Sequence, residues 1–274
     1  MNVSIVVCKI GLLGPPGTFS QQATFQYDKT LQPVFFETIS DIVNAVANND
    51  VQEAILPFEN SIEGTVRETL DGIYRENLKI TDEMAVDIKH CIAGIDRRIP
   101  LCDIEYIYSH QQALAQCRGY IQKYYPRAKL VLTPSTSAAF QKVKNEGLIN
   151  ARAIGPRIAA DIYKLSIIDE NIQDKQTNKT LFVIVSKNPK KPSKLKSTLL
   201  VIDPNKDKPG LLYAILGIFA KKRINLSKIE SRPSQNNLGE YVFYLKADIT
   251  KNNKAFNNII EELETIGKTT IITN

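Results

Sequence analysis

Up to about residue 187 the chain alternates short β-branched runs with stretches whose apolar residues recur every three or four positions, and this alternation restricts that part to an α/β fold. Strands are expected over Val3–Leu13, Glu53–Pro57, Ile80–Val86, Ile104–Tyr108, Lys129–Leu132, Arg152–Ile154 and Leu181–Val185. Helices are expected over Asp41–Asn48, Glu63–Tyr74, Gln111–Tyr124 and Thr136–Asn145. Ser186–Leu195 then combines two prolines with four lysines and lacks apolar periodicity, as an exposed connector does. The C-terminal remainder is smaller: a strand over Ser197–Ile202, a helix begun by Asp207-Lys-Pro-Gly210 with Leu212, Ile215, Leu216 and Phe219 on one face, and strands over Asn225–Ser231 and Tyr241–Ala247. A second helix carrying Phe256, Ile259, Ile260, Leu263 and Ile266, and a strand over Thr269–Ile272, complete a βαββαβ, ferredoxin-like unit.

Several function classes fall away. No apolar run reaches the length a bilayer span needs, and the opening residues have neither a basic segment nor a small-residue cleavage site. A cytoplasmic protein without membrane contact is expected. Cys8, Cys91, Cys102 and Cys117 form no C-x-x-C pair, and with only His90 and His110 in the chain no metal-ligand spacing exists; the thiols are expected to be reduced and mostly buried. The net charge of +6 comes from dispersed lysines, the densest group (Lys187, Lys190, Lys191, Lys194, Lys196) being interleaved with prolines. A solvated linker accounts for it better than a nucleic-acid surface.

Four segments, Gly11–Ser20, Ile55–Asp71, Tyr108–Cys117 and Leu132–Ala139, run from a strand through small or polar residues into a helical pattern, and the turn of the second holds more polar residues than one cap requires. Each read alone is a turn and a cap, with Ser20 capping the first helix and Asn60, Ser61 or Thr65 the second. In open α/β sheets ligands sit beyond the carboxyl ends of the strands, so together such junctions can line one cleft.

Gly14-Pro-Pro-Gly-Thr-Phe-Ser20, Glu59-Asn-Ser-Ile-Glu-Gly64, Ser109-His-Gln-Gln-Ala-Leu-Ala-Gln-Cys117, Ser135-Thr-Ser-Ala-Ala139 and Asn178-Lys-Thr-Leu-Phe182, with Glu230-Ser-Arg-Pro233 behind them, resemble in order the motifs of prephenate dehydratases carrying a C-terminal ACT domain. The resemblance spans almost the whole chain. It implies a catalytic domain over 1–187 of two α/β lobes, similar to periplasmic binding proteins, with one lobe at about 1–85 and 165–187 and the other at about 86–164. A linker over 188–196 and an ACT domain over 197–274 complete the chain. It implies conversion of prephenate to phenylpyruvate without cofactor or metal, regulated by L-phenylalanine, in a homodimer or homotetramer assembled through ACT domains.

By the same resemblance Thr180 assists the leaving hydroxyl. Thr18, Asn60, Ser61, Ser109, Ser135, Thr136 and Ser137 contact substrate, Phe19, Gly64, Gln111 and Phe182 shape the pocket, and His110 takes a structural or substrate-orienting role. Gly210, Leu211, Leu212, Glu230, Ser231, Arg232 and Pro233 enclose phenylalanine. The chain departs from the family at Leu181, where arginine is usual, at Gln111, where proline is common, at Gly155-Pro156, where alanine and serine are more usual, and at Leu211, where alanine is common and leucine narrows the effector pocket. Adjacent strand residues face opposite ways, so Leu181 should point away from whatever Thr180 addresses. Two readings share the fold: an arogenate dehydratase, and a non-catalytic amino-acid-binding regulator.

Overall fold

In the computed structural model, which describes residues 8–189, 195–234 and 240–273, strands and helices alternate as the pattern requires. The chain forms β1 (Lys9–Leu13), α1 (Phe19–Tyr27), β2 (Gln32–Phe36), α2 (Ile39–Ala47), β3 (Glu53–Asn60), the two-residue β4 (Gly64–Thr65), α3 (Arg67–Arg75) and β5 (Lys79–Asp87). It continues through β6 (Cys91–Gly94), β7 (Tyr106–Ser109), α4 (Gln111–Gln116), α5 (Arg118–Tyr124), β8 (Lys129–Leu132), α6 (Thr136–Asn145), β9 (Ala151–Gly155), α7 (Arg157–Tyr163), β10 (Ser166–Glu170) and β11 (Lys179–Ser186). One sheet has the order β2-β1-β3-β11-β5, with β4 folded back on β3; a second has the order β10-β6-β9-β7-β8. The chain therefore crosses from the first sheet to the second after Asp87 and returns after Glu170. The return was expected near residue 164, but β10 pairs antiparallel with β6 and so belongs to the second sheet.

Four strands, β2, β4, β6 and β10, escaped the pattern for local reasons. β2 begins Gln-Pro and lies at a sheet edge, where proline's missing N–H is tolerated. β6 is buried at all four positions and β10 grades from half-buried to exposed, so neither alternates. The helix expected over Gln111–Tyr124 breaks at Cys117, whose φ of −112° and ψ of 18° leave the helical region. The helix expected from Glu63 starts instead at Arg67, because Gly64 and Thr65 pair with Asn60 and Glu59. Residues 3–7 of the first expected strand, and 190–194 of the connector, lie outside the described residues.

The first sheet buries Ile10, Leu12, Ile55, Val86 and Phe182 with Ala23 of α1. The second is filled on one side by Phe140, Val143, Ala153 and Ala159, and on the other by Ile92, Ile107, Leu114 and Ile154.

After the connector come β12 (Thr198–Pro204), α8 (Leu211–Lys221), β13 (Leu226–Pro233), β14 (Tyr241–Ala247), α9 (Lys254–Glu264) and β15 (Gly267–Ile271). They form the expected βαββαβ unit, an antiparallel sheet of order β13-β14-β12-β15. Leu200, Ile202, Phe243 and Leu245 face Ile215, Phe219, Ile259 and Leu263 of the helices. Leu199, Val201, Val242 and Tyr244 on the opposite face are buried too, which is why β12 is continuously apolar rather than alternating. Part of their cover is Ile73–Glu83, which groups by its contacts with the segment from Val185 onward. The Ile80 N–H donates to Ile272 O at 2.9 Å, and Lys79 Nζ donates to Ile271 O at 2.7 Å. Tyr74 stands edge-on to Tyr244 with ring centroids 6.0 Å apart, and Lys246 pairs with Glu83 at 2.8 Å. The expected domain boundary at 187 was drawn from the end of the strand–helix alternation, the proline- and lysine-rich connector and the family resemblance, none of which carries a trace of this earlier segment.

Candidate active site

The Gly-Pro-Pro-Gly turn after β1 is pinned by its own helix. Thr18 caps α1, its hydroxyl accepting from Gln21 N at 3.3 Å and donating to Leu13 O at 2.9 Å. Gln21 Oε1 reaches back to Gly17 N at 2.6 Å. The cap is thus Thr18 and not Ser20, which is buried within the first turn of α1; the Thr-x-x-Gln spacing of a capping box already marks it in the sequence. At the next junction the Asn60 side chain turns the chain instead of capping α3: its Oδ1 accepts from the backbone N–H groups of Ile62 at 2.9 Å and Glu63 at 3.1 Å. Further round, His110 caps α4 through Nδ1, which accepts from Gln112 N at 3.3 Å, and the Ser135 hydroxyl caps α6 by accepting from Ala138 N at 3.1 Å.

These junctions and β11 line a cavity of about 420 Å³. Of the expected residues, Thr18, Phe19, Asn60, Gly64, His110, Ser135, Thr136, Thr180 and Phe182 lie in its wall. Thr180 and Phe182, two apart on β11, face it; Leu181 between them does not, as strand alternation requires. The sequence missed Glu63, His90, Gln112 and Gln116, which also line it. Gln112 and Gln116 show as a polar pair four residues apart on α4, hence on one helix face, but nothing near His90 in the sequence signals a site.

Ser61, Ser109, Gln111 and Ser137, expected at the substrate, lie outside the wall. Ser109 is fully buried and donates to Ile154 O at 2.6 Å. Ser137, also fully buried, donates to Pro16 O, tying α6 to the Gly-Pro-Pro-Gly turn. Ser61 is exposed and accepts from Lys179 N at 3.0 Å, and Gln111 is exposed at the start of α4. Hydroxyls beside a site were read as contacts when they are joints between the elements that form it.

The Asn60 orientation has a chemical consequence. Because its oxygen accepts two backbone N–H groups, its nitrogen is the donor end; its two N–H bonds are shared among Thr180 Oγ1 at 2.9 Å, Asn178 Oδ1 at 2.9 Å and the longer Lys179 O at 3.2 Å, so toward Asn60 the Thr180 oxygen accepts. The Thr180 hydroxyl proton is therefore left for a group in the cavity. Glu63 is the one acidic residue in the wall, and no lysine or arginine is among the described residues there. Positive potential comes from the N-terminal turns of α1 and α6, whose caps Thr18 and Ser135 both line the cavity.

His90 is 3% exposed, and its desolvation depresses its pKa from the ordinary 6.5 despite the hydrogen bond to Gln116. A histidine held neutral when folded binds fewer protons than when unfolded, so stability falls as pH drops below 6.5 and goes on falling until the depressed folded pKa is passed. The thermal midpoint is expected to fall across that interval in the wild type and to fall less in His90→Gln, measured by calorimetry in matched buffers. Equal slopes would refute the assignment.

Cys91 and Cys117 are buried and Cys8 partly so, while Cys102 is exposed. Burial pushes the Cys91 thiol up to about 12, so it stays protonated.

In the C-terminal unit Gly210 caps α8 with φ of 86°, a left-handed conformation that favours glycine, and open space surrounds it. Leu211 is only 5% exposed and packs into the unit's core, while the neighbouring Leu212 is the exposed side chain. Along β13, Glu230 and Arg232 share one face and the exposed Ser231 and Pro233 the other. Lys228 lies 3.6 Å from Glu230 on that shared face.

A family model described as prephenate dehydratase matches residues 10–190, and one described as ACT domain matches residues 205–265. A protein of Methanocaldococcus jannaschii named prephenate dehydratase is 39% identical over 91% of both chains. The solved structure of prephenate dehydratase from Arthrobacter aurescens in complex with L-Phe is 31% identical, with a TM-score of 0.87 over 97% of this chain and 89% of that one. A solved structure described as GqqA, a novel type of quorum quenching acylase, has the same TM-score of 0.87 at 26% identity, covering 97% and 96%.

Proposed function

The chain belongs to the prephenate dehydratase family, and from that premise we propose that it converts prephenate to phenylpyruvate in the cavity around Thr180. The carbon–carbon bond to the ring carboxylate breaks and carbon dioxide leaves, its electron pair entering the ring. The carbon–oxygen bond to the ring hydroxyl breaks at the same time, and the oxygen leaves as water with a proton taken up from solution. Aromatisation drives the reaction, and the protein's part is to fix two carboxylates and assist a poor leaving group.

The observation that carries this reading is the direction of the Asn60–Thr180 hydrogen bond. It turns Thr180 from an ordinary strand threonine into a donor aimed at the cavity. Helix N-termini then serve the dianion in a wall with no lysine or arginine among the described residues, as anion sites at helix N-termini do elsewhere. Thr18, Asn60, His110, Ser135 and Thr136 remain the substrate contacts of this proposal.

L-Phenylalanine is proposed to bind the C-terminal unit at the α8 N-terminus around Gly210 and Leu212, with Glu230–Pro233, and to favour a less active state. Pairing of two copies along the edge strand β13 would give the dimer, in the cytoplasm. Purified protein incubated with prephenate is expected to release phenylpyruvate, and saturating L-phenylalanine to slow it. Absence of turnover with prephenate but turnover with arogenate would reassign the substrate; absence of both would leave a binding protein. An unchanged rate and thermal midpoint with phenylalanine would refute the regulatory half.

A further inference from the structure

The hydrogen bonds behind Thr180 run on through the wall in one fixed direction. Asn60 Nδ2, the donor end, also reaches Asn178 Oδ1 at 2.9 Å. That makes Asn178 Nδ2 the donor to Gln116 Oε1, at 2.9 Å. Gln116 Oε1 is then an acceptor, and His90 Nε2, 3.0 Å from it, must carry the proton. His90 is fixed in place from two sides, since its backbone N–H donates to Gln173 Oε1 at 2.9 Å and its ring stands edge-on to Phe19 at 5.5 Å. Its Nδ1 is buried without a partner among the described residues, as the bare nitrogen of the Nε2–H tautomer. Two backbone N–H groups at Ile62 and Glu63 thus set the polarity of a chain that ends at a histidine on the segment linking the two sheets.

Two donors occupy the Gln116 oxygen, so its nitrogen is the end available to the cavity, and it has no partner among the described residues. An amide held with two N–H bonds free, in a wall with no lysine or arginine among the described residues, matches a carboxylate oxygen. We propose that Gln116 binds a carboxylate of the substrate through its side-chain N–H, and that His90 is the positioning residue that holds it by donating from Nε2. This rests on the dehydratase reading of the cavity and adds to it the group that receives the substrate's charge.

Gln116→Glu in the full chain is the sharpest test, because it keeps the shape and the oxygen that Asn178 and His90 address while replacing the N–H donor by a second oxygen. KM for prephenate is expected to rise about 10- to 100-fold with kcat within about threefold of wild type, the signature of lost substrate binding rather than lost chemistry. His90→Leu is expected to raise KM about 3- to 10-fold, and His90→Gln, which restores an N–H donor, to recover most of it. ¹⁵N NMR of the wild type at neutral pH should show His90 protonated on Nε2 alone. An unchanged KM in Gln116→Glu, or a proton on His90 Nδ1, overturns the proposal. Where the wild type turns over no prephenate, the dehydratase reading falls instead. The same variants are then compared for prephenate binding by calorimetry, and equal affinity of wild type and Gln116→Glu overturns the inference.

Discussion

Thr180→Val is expected to lower kcat for prephenate by about 10²- to 10⁴-fold, the range that well-placed assistance to a leaving group supplies, with KM near wild type and a thermal midpoint lower by only about 2–4 °C for the one hydrogen bond lost. Valine keeps the shape and the β-branched preference for a strand, and the Thr180 hydroxyl meets Asn60 Nδ2. The companion variant is Asn60→Asp. Its first oxygen still accepts from Ile62 and Glu63, but its second accepts where the amide donated, so the Thr180 proton turns from the cavity toward the aspartate. A similar loss of kcat is expected, although Thr180 is untouched. A Thr180→Val enzyme with wild-type kcat would remove the hydroxyl from the mechanism. An active Asn60→Asp enzyme beside an inactive Thr180→Val one would remove only the argument from polarity.

Gly17→Ala is expected to destabilise the first unit by about 2–4 kcal/mol, the sum of a left-handed alanine and an overpacked contact. Gly17 has φ of 91°, and a Cβ there would stand 2.8 Å from Ser137 Oγ and 2.9 Å from Ala159 Cα. The second contact is backbone and cannot rotate away. Pro16 on the same turn accepts from Ser137 and, at 3.1 Å, from Tyr163, so a displaced turn loosens two further ties to the second sheet. At the per-kcal sensitivity of a domain this size, the thermal midpoint should fall by about 5–15 °C. Ser137→Ala removes one hydrogen bond and should cost about 1 kcal/mol. A Gly17→Ala midpoint within about 2 °C of wild type would mean that the turn shifts freely and does not fix the cavity wall.

The motifs of the first four junctions were legible because each is contiguous: Thr18 and Phe19, Asn60 and Gly64, Ser135 and Thr136 stand where a strand gives way to polar residues before a helix. Thr180 was legible only through its family resemblance, since a threonine in an apolar strand has no local mark of chemistry. Ser109 and Ser137 were misplaced for the opposite reason: a hydroxyl beside a site looks the same in sequence whether it faces the ligand or ties α6 to a distant turn.

By itself the sequence determined the α/β alternation, the βαββαβ unit behind it and the family, because periodicity, turn chemistry and contiguous motifs are properties of neighbours along the chain. Only the tertiary structure decided which atoms face the cavity and in which direction its hydrogen bonds run. The line from Ile62 and Glu63 through Asn60, Asn178 and Gln116 to His90 joins residues up to 118 positions apart, and each member's role is set by the partner that the fold brings to it. The cover of the C-terminal sheet by Ile73–Glu83 is of the same kind. Burial of one segment by another far away in the chain leaves no periodic trace in either, so packing alone reveals it.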